Sequence, residues 1–369
     1  MHVPRHAYRR AVRGRRRAVR AVTAATDART AARSRAVAGQ RLALPIALAL
    51  LVALAVVAIG LGRYSLGVAQ VLDVLQRGPS ASGADDTASA IVWQIRLPRI
   101  GVAMLVGAAL AAAGAAFQQL FRNPLVAPDT LGVSAGAALG AVVAIVLGAT
   151  FLVIQIAAFA GGMLTVLVVM LVATRLRAFD PIVTLILTGV VIASLLGAGI
   201  AFTKFVADPY NQLPAITFWL MGSFASSTYR ELVAVAVPVA LCLVVLGVLA
   251  WRINVLALPD DEARSLGLDT QRTRAIVIAA ATLATSACVA VSGIVGWVGL
   301  IVPHMARLVV GPEFSRLLPL SAVMGAAFML AIDTAARVVL ALELPPGILT
   351  AVLGTPLFLV LLARTRRDF

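Results

Sequence analysis

Asp333 and Arg337 lie four residues apart inside the apolar stretch Ala331-Ile332-Asp333-Thr334-Ala335-Ala336-Arg337. That spacing sets both on one helix face, where they can pair. A carboxylate inside an apolar run is the kind of group that couples ions to transport. With a cation built in beside it, the pair reads more simply as structural. Other chemistry does not assemble. Lys204 is the chain's one lysine and follows Thr203, so there is no Gly-Lys phosphate loop, and ATP hydrolysis would need a separate subunit. The two other histidines lie in the first ten residues, which leaves His304 alone in the body of the chain, with no His-Glu-x-x-His and no partner for a serine nucleophile. Cys242 and Cys288 sit within apolar runs, without disulfide-framework or metal-knuckle spacing. No catalytic, cofactor-binding or metal-ligating residue is therefore nominated.

Two stretches concentrate the remaining polar and backbone-breaking residues. The first runs from Gln118 through Arg122, Asn123 and Pro124 to Pro128 and Asp129, and its prolines stop one apolar run and shape a loop before the next. The second runs from Gly293 to Arg307 and holds Gly293, Gly296, Gly299 and Pro303. Such breaks occur where backbone lines a cavity or is buried in protein, and a kinked packing helix explains the pattern equally well.

The elements carrying these residues follow from composition. The chain has 369 residues, 61% hydrophobic and 13% charged, with a mean hydropathy of +0.99. Soluble domains run nearer half apolar and a quarter charged, so lipid is the main solvent. The net charge of +15 does not indicate nucleic acid. Of 31 basic residues, 12 precede residue 42 and the rest flank apolar runs, as membrane flanks do. Residues 1–41 loosely resemble a transit peptide or a twin-arginine signal, and are read instead as a disordered cytosolic extension.

A helix needs about 20 apolar residues to cross a bilayer. Ten spans are expected, near 42–61, 100–118, 131–149, 152–174, 182–202, 232–250, 275–293, 295–309, 318–340 and 347–364, with the split around residue 294 set by the glycines. The fold class is all-α integral membrane, with a permease domain over 42–364 and a cytosolic C-terminus at 365–369. With the N-terminus inside, the inner segments hold 24 basic residues and the outer ones seven: Arg63, Arg77, Arg96, Arg99, Lys204, Arg230 and Arg337. Both termini are then cytosolic. Gly132, Gly136 and Gly140 line one helix face and let a neighbour approach closely. Residues 62–99 and 203–231 form long outer segments, the latter with room for a short interfacial helix. The inner loop 251–274 carries Asp260, Asp261, Glu262 and Arg264, a charged and helical docking element for a soluble partner.

Several motifs stand in one order along the chain: Arg96-Leu97-Pro98-Arg99, Asn123-Pro124-Leu125, Leu131-Gly132-Val133-Ser134-Ala135-Gly136-Ala137, Ala263-Arg264-Ser265-Leu266-Gly267, Val298-Gly299-Leu300-Ile301-Val302-Pro303-His304, Asp333 with Arg337, Glu343-Leu344-Pro345-Pro346-Gly347 and Gly354-Thr355-Pro356. The ordered set resembles the FecCD family of ABC permeases, which import ferric siderophores, haem and vitamin B12. The resemblance covers about 42–364 and implies the type II ABC importer permease architecture, in which a ten-helix subunit dimerises with an identical or sibling subunit. It implies ATP-binding cassette subunits docking on Asp260, Asp261, Glu262, Ala263, Arg264, Ser265, Leu266 and Gly267. It also implies a substrate-binding protein docking through Arg96, Arg99 and Arg337 on the outer surface. Ferric siderophore is the first-ranked cargo, ahead of haem and vitamin B12.

Overall fold

The computed structural model describes residues 40, 42–62, 64–79, 87–176, 180–340 and 342–365. The tail expected over 1–41 and the C-terminus from 366 lie outside these residues, apart from Gln40, as do Arg63 and Arg177. The chain divides after Ile46. Of the first unit only Gln40 and 42–46 are described, and these are helical. The second unit carries the bundle.

Among the described residues every regular element is helical. In chain order they are α1 (Leu42–Gly60), α2 (Val68–Arg77), α3 (Thr87–Leu120), α4 (Val133–Val146), α5 (Phe151–Arg175), α6 (Pro181–Val206) and α7 (Gln212–Met221). They continue as α8 (Tyr229–Val248), α9 (Ala250–Val255), α10 (Asp260–Ser265), α11 (Thr270–Ser292), α12 (Val298–Val310), α13 (Phe314–Val338) and α14 (Pro346–Thr365). Seven of these are long and apolar enough to cross a bilayer, and α4, α12 and α14 are shorter apolar helices. All ten match the expected spans one for one.

Burial sorts the bundle into centre and periphery. The apolar windows of α3 and α11 are 78% and 72% buried, whereas that of α6 is 11% buried. An apolar helix with so much exposed surface must meet lipid or another apolar chain. The centre is closed by small residues. A Cβ on Gly107 would lie 2.1 Å from the Gly325 carbonyl oxygen, so α3 and α13 touch backbone to backbone. Of the expected glycine face, Gly136 and Gly140 lie on α4 and do the same against α5, where a Cβ on Gly140 would lie 2.2 Å from the Ala157 oxygen, while Gly132 stands before the helix at φ +78°.

One stretch departs from the expected layout, and one expected split has a visible cause. The outer segment 62–99 is not a loop, because it contains α2 and the first turns of α3. Pro98 does not end that helix. The turn Ile91–Arg96 widens to π geometry, with the Leu97 N–H donating to Val92 O, and this accommodates a residue without an N–H. The pair around residue 294 is two helices. Gly293 at φ +67° and Trp297 at φ +72° turn the chain between α11 and α12, and the Trp297 ring packs on Phe358 with centroids 6.1 Å apart.

Candidate functional site

Charged side chains gather at the two ends of α3. At its N-terminal end, Arg99 Nε donates to Asp333 Oδ1 at 2.9 Å and Arg99 Nη1 lies 3.0 Å from Glu343 Oε2. Arg337 Nε lies 3.2 Å from Asp333 Oδ2, an ion pair whose N–H points off the oxygen and forms no hydrogen bond. The expected Asp333–Arg337 pair is thus part of a larger cluster. Arg99 joins it from 234 residues away, a partner that no spacing rule exposes. Glu343 was quoted only as part of a motif.

Arg96 and Arg337 have a second function, in local structure. The last carbonyls of a helix lack intrahelical donors and carry the negative end of its dipole, which favours cations. At the C-terminus of α1, Arg337 Nη1 donates to Leu61 O at 3.1 Å and Nη2 to Ala58 O at 3.4 Å. Arg96 Nη1 donates to Gly60 O at 3.1 Å and to Ile59 O, and its Nη2 donates to Tyr64 O. Glycine at 62 leaves room for this guanidinium, since a Cβ there would lie 2.6 Å from Arg96 Nη2. All three arginines expected on the outer surface are buried, with Arg96 4% exposed and Arg99 and Arg337 6% each. The reason is that five backbone carbonyls and the carboxylates of Asp333 and Glu343 surround them, and an exposed site would leave those acceptors unmet. Arg99 and Glu343 also line a cavity of about 370 Å³ with Phe151, Phe218, Trp219 and Phe224.

At the other end of α3 sits the charged segment 256–267. The expected docking helix forms as α10, with Asp260, Asp261 and Glu262 in its first turn, where acids meet the positive end of the dipole. Asp261, Glu262, Arg264, Ser265, Leu266 and Gly267 are exposed, and Ala263 is fully buried beneath them. Gly267 takes φ +80°, a left-handed turn that closes the segment. Asp260 is the anchor. Arg274 Nη1 and Nη2 donate to its two oxygens at 2.9 and 2.6 Å, and Arg122 Nη2 donates to Oδ1 at 3.2 Å. Arg122 stands at φ +50° just past α3, and its Nε also donates to Leu256 O at 3.1 Å and its Nη2 to Leu258 O. Spacing gives neither arginine this partner: Arg122 stands in the polar stretch before Pro124, and Arg274 among the inner basic residues.

The Arg274 hydrogen bonds, reinforced by its charge and that of Arg122, hold the Asp260 carboxyl below the usual carboxylate range against partial burial. A depressed folded-state pKa gives stability that is present above the unfolded value of about 3.9 and is lost as pH falls through the folded value. Amides of 256–267 are therefore expected to stay protected from hydrogen exchange at neutral pH and to lose protection below about pH 4. Asp260→Asn is expected to lose that protection at neutral pH. Equal exchange in the variant and the parent at pH 7 would contradict the clasp.

The break between α11 and α12 is supported from α3. Pro303 leaves the Gly299 carbonyl without its usual helical donor. Gln118 Nε2 reaches that oxygen at 3.5 Å and the Leu300 oxygen at 3.0 Å, which answers the demand that backbone polar groups in lipid be met internally.

With this geometry in hand, the chain can be set beside known proteins. The FecCD transport family matches residues 50–364. The molybdate import system permease protein MolB of Haemophilus influenzae is 39% identical over 318 residues, covering 86% of this chain and 94% of that one. The cobalamin import system permease protein BtuC of Halobacterium salinarum is 42% identical over 292 residues, covering 79% of this chain and 78% of that one. A solved ABC transporter assigned to the metal-chelate type, in an inward-facing conformation, superposes with a TM-score of 0.79 at 38% identity over 87% of this chain and 98% of its own. Sequence, helix order and backbone agree over most of each chain, and the protein belongs to the FecCD transport family, as a membrane-spanning ABC importer permease.

Proposed function

We propose that this chain forms one half of the pathway of an importer for ferric siderophores. A substrate-binding protein feeds it at the Arg99 end, and ATP-binding cassette subunits drive it at the Asp260 end. The observation that carries the reading is the segment 256–267. It presents an exposed acidic and basic face on a short helix whose underside is locked by Arg122 and Arg274. A rigid charged knob is what a soluble motor must grip to push on a bundle with no phosphate-binding loop of its own. The knob takes Asp260, Asp261, Glu262, Ala263, Arg264, Ser265, Leu266 and Gly267 as the coupling element, with this end, both termini and the 1–41 tail in the cytosol. A second permease subunit, identical or sibling, covers the exposed face of α6.

At the opposite end the binding protein meets the rim of the cavity lined by Arg99 and Glu343, and Arg99 is the docking arginine nearest that rim. Arg96 and Arg337 support docking from beneath, by holding the end of α1. Loading on one side and nucleotide-driven closure on the other alternate the access of the pathway.

The metal-chelate assignment of the superposed transporter supports an iron chelate as cargo. The names of the two relatives favour cobalamin and molybdate as second readings. Uptake of labelled ferric siderophore, cobalamin and molybdate in a deletion strain separates these. Loss of ferric siderophore uptake alone is expected, and loss of either other cargo alone reassigns it. Uptake is also expected to stop without the ATPase subunit and to survive a proton uncoupler at constant ATP. Accumulation in vesicles holding this chain alone would overturn the importer reading.

A further inference from the structure

The two charged ends belong to one mechanical unit. Helices α3 and α13 run antiparallel, since Arg99 meets Asp333 while Gly107, later in α3, meets Gly325, earlier in α13. The α-helical part of α3 beyond the π turn, Leu97–Leu120, has 24 residues, a length of about 36 Å. Midway along it the two backbones are in contact at Gly107 and Gly325, where a Cβ on either would fall 2.1–2.2 Å from the other's carbonyl oxygen. Packed interiors are stiff and transmit displacement. Both helices are also tied to the coupling segment and its approach. Arg122, just beyond α3, holds Leu256 O, Leu258 O and Asp260. Asn254, in α9, accepts the Phe314 N–H that opens α13 at 2.8 Å.

We infer that Arg122 and Asn254 are positioning residues that fasten the 256–267 segment to the α3–α13 pair, which carries a displacement of that segment as one body to the Arg99–Asp333–Glu343 cluster. The inference rests on the proposed importer reading, because it needs a motor to displace the segment. It goes beyond that reading in naming the two helices that transmit the stroke and the two side chains that join them to it. Arg122 spends its guanidinium on Leu256 O, Leu258 O and Asp260, and Asn254 spends its side-chain oxygen on the Phe314 N–H, so the role inferred for both is to connect.

The test uses the full complex with its ATPase subunits, reconstituted in lipid, with the buried Cys242 and Cys288 changed to Ser. Spin labels at Tyr210 and Leu342, which are 86% and 79% exposed, report the Arg99 end. Hydrogen exchange of residues 256–267 reports the Asp260 end. In the parent complex, ATP with vanadate is expected to change both readouts. In Arg122→Ala the exchange response is expected to remain while the label distance change falls at least about twofold, and Asn254→Ala is expected to give a smaller loss. Arg122→Lys restores only part, since one ammonium cannot reproduce the guanidinium fork that meets two carbonyls and a carboxylate together. An undiminished label response in Arg122→Ala overturns the inference. So does simultaneous loss of both responses in a complex that keeps its ATPase subunits, because Arg122 would then serve only to shape the docking face. A parent complex that answers ATP at neither end removes the importer reading itself and the inference with it.

Discussion

Asp333→Ala is expected to cost about 3–5 kcal/mol, because it leaves buried guanidiniums without their shared counter-ion. Asp333 has no exposed surface, and the side chains of Arg99 and Arg337 beside it are 7% and 6% exposed. The attraction among these groups was offset on folding by the cost of stripping water from each of them. Removing the one carboxylate keeps that cost and discards the attraction. Glu343 is too distant and too exposed to replace it: it meets only Arg99, and its own side chain is 36% exposed. Net stabilities are about 5–15 kcal/mol, so the loss is a large share of the whole. Thermal unfolding in detergent, read alongside membrane yield, measures it.

Two companion variants separate causes. Asp333→Asn keeps an acceptor oxygen for Arg99 and is expected to fall between parent and alanine. Replacing Arg99 by Met and Asp333 by Leu together is expected to recover part of the loss, since apolar replacements for buried ion pairs are often neutral. Parent-like stability in Asp333→Ala would show that the cluster contributes nothing to the fold. If instead Asp333→Asn folded fully and lost only proton-dependent transport, the carboxylate would be a relay and not a strut.

Gly114→Ala is expected to prevent the bundle from closing around the broken helix. A Cβ at Gly114 would lie 1.8 Å from the Gly299 oxygen, 2.6 Å from its carbonyl carbon and 2.8 Å from its Cα. Every one of these atoms is backbone, so no side chain can rotate away. Overpacking costs about 1–3 kcal/mol where neighbours can shift and more where they cannot. Here the neighbour is the same carbonyl that Pro303 has freed and Gln118 supports, so displacing it also disturbs that compensation. A loss of at least about 3 kcal/mol is expected, from the upper end of that range. Gly247 in α8 provides the control, because a Cβ there meets nothing within 4 Å. Gly247→Ala is expected to be neutral or to gain up to about 1 kcal/mol through helix propensity. Yields and melting temperatures that do not distinguish the two alanine variants would contradict the packing argument.

Much of the fold is legible without coordinates because lipid imposes a simple rule. A backbone in hydrocarbon must satisfy itself as helix, so hydrophobic length counts spans directly. All ten expected segments fall on helices. The glycines of α4 and the breaks at Gly293 and Pro303 were also visible, since small residues and missing donors have only a few physical uses. The exposed acidic helix at 260–265 could be read from the charge run Asp260-Asp261-Glu262 following Pro259.

Side-chain partners were not legible in the same way. Asp333 and Arg337 could be paired because four residues is a helical turn, a local relation that the chain's own geometry enforces. Arg99 with Asp333, Arg122 with Asp260 and Asn254 with Phe314 are relations across 234, 138 and 60 residues, and they exist only once helices pack in a particular order and rotation. Burial of Arg96 and Arg337 belongs with these. The order of spans along the sequence placed them at the outer membrane surface, against the charge bias, whereas the tertiary fold turned them inward to meet carbonyls at the end of α1. Sequence by itself determined which stretches enter lipid and where they break, because solvation acts on each segment alone. Tertiary structure decided which charges meet, because electrostatic partners are chosen by distance in space.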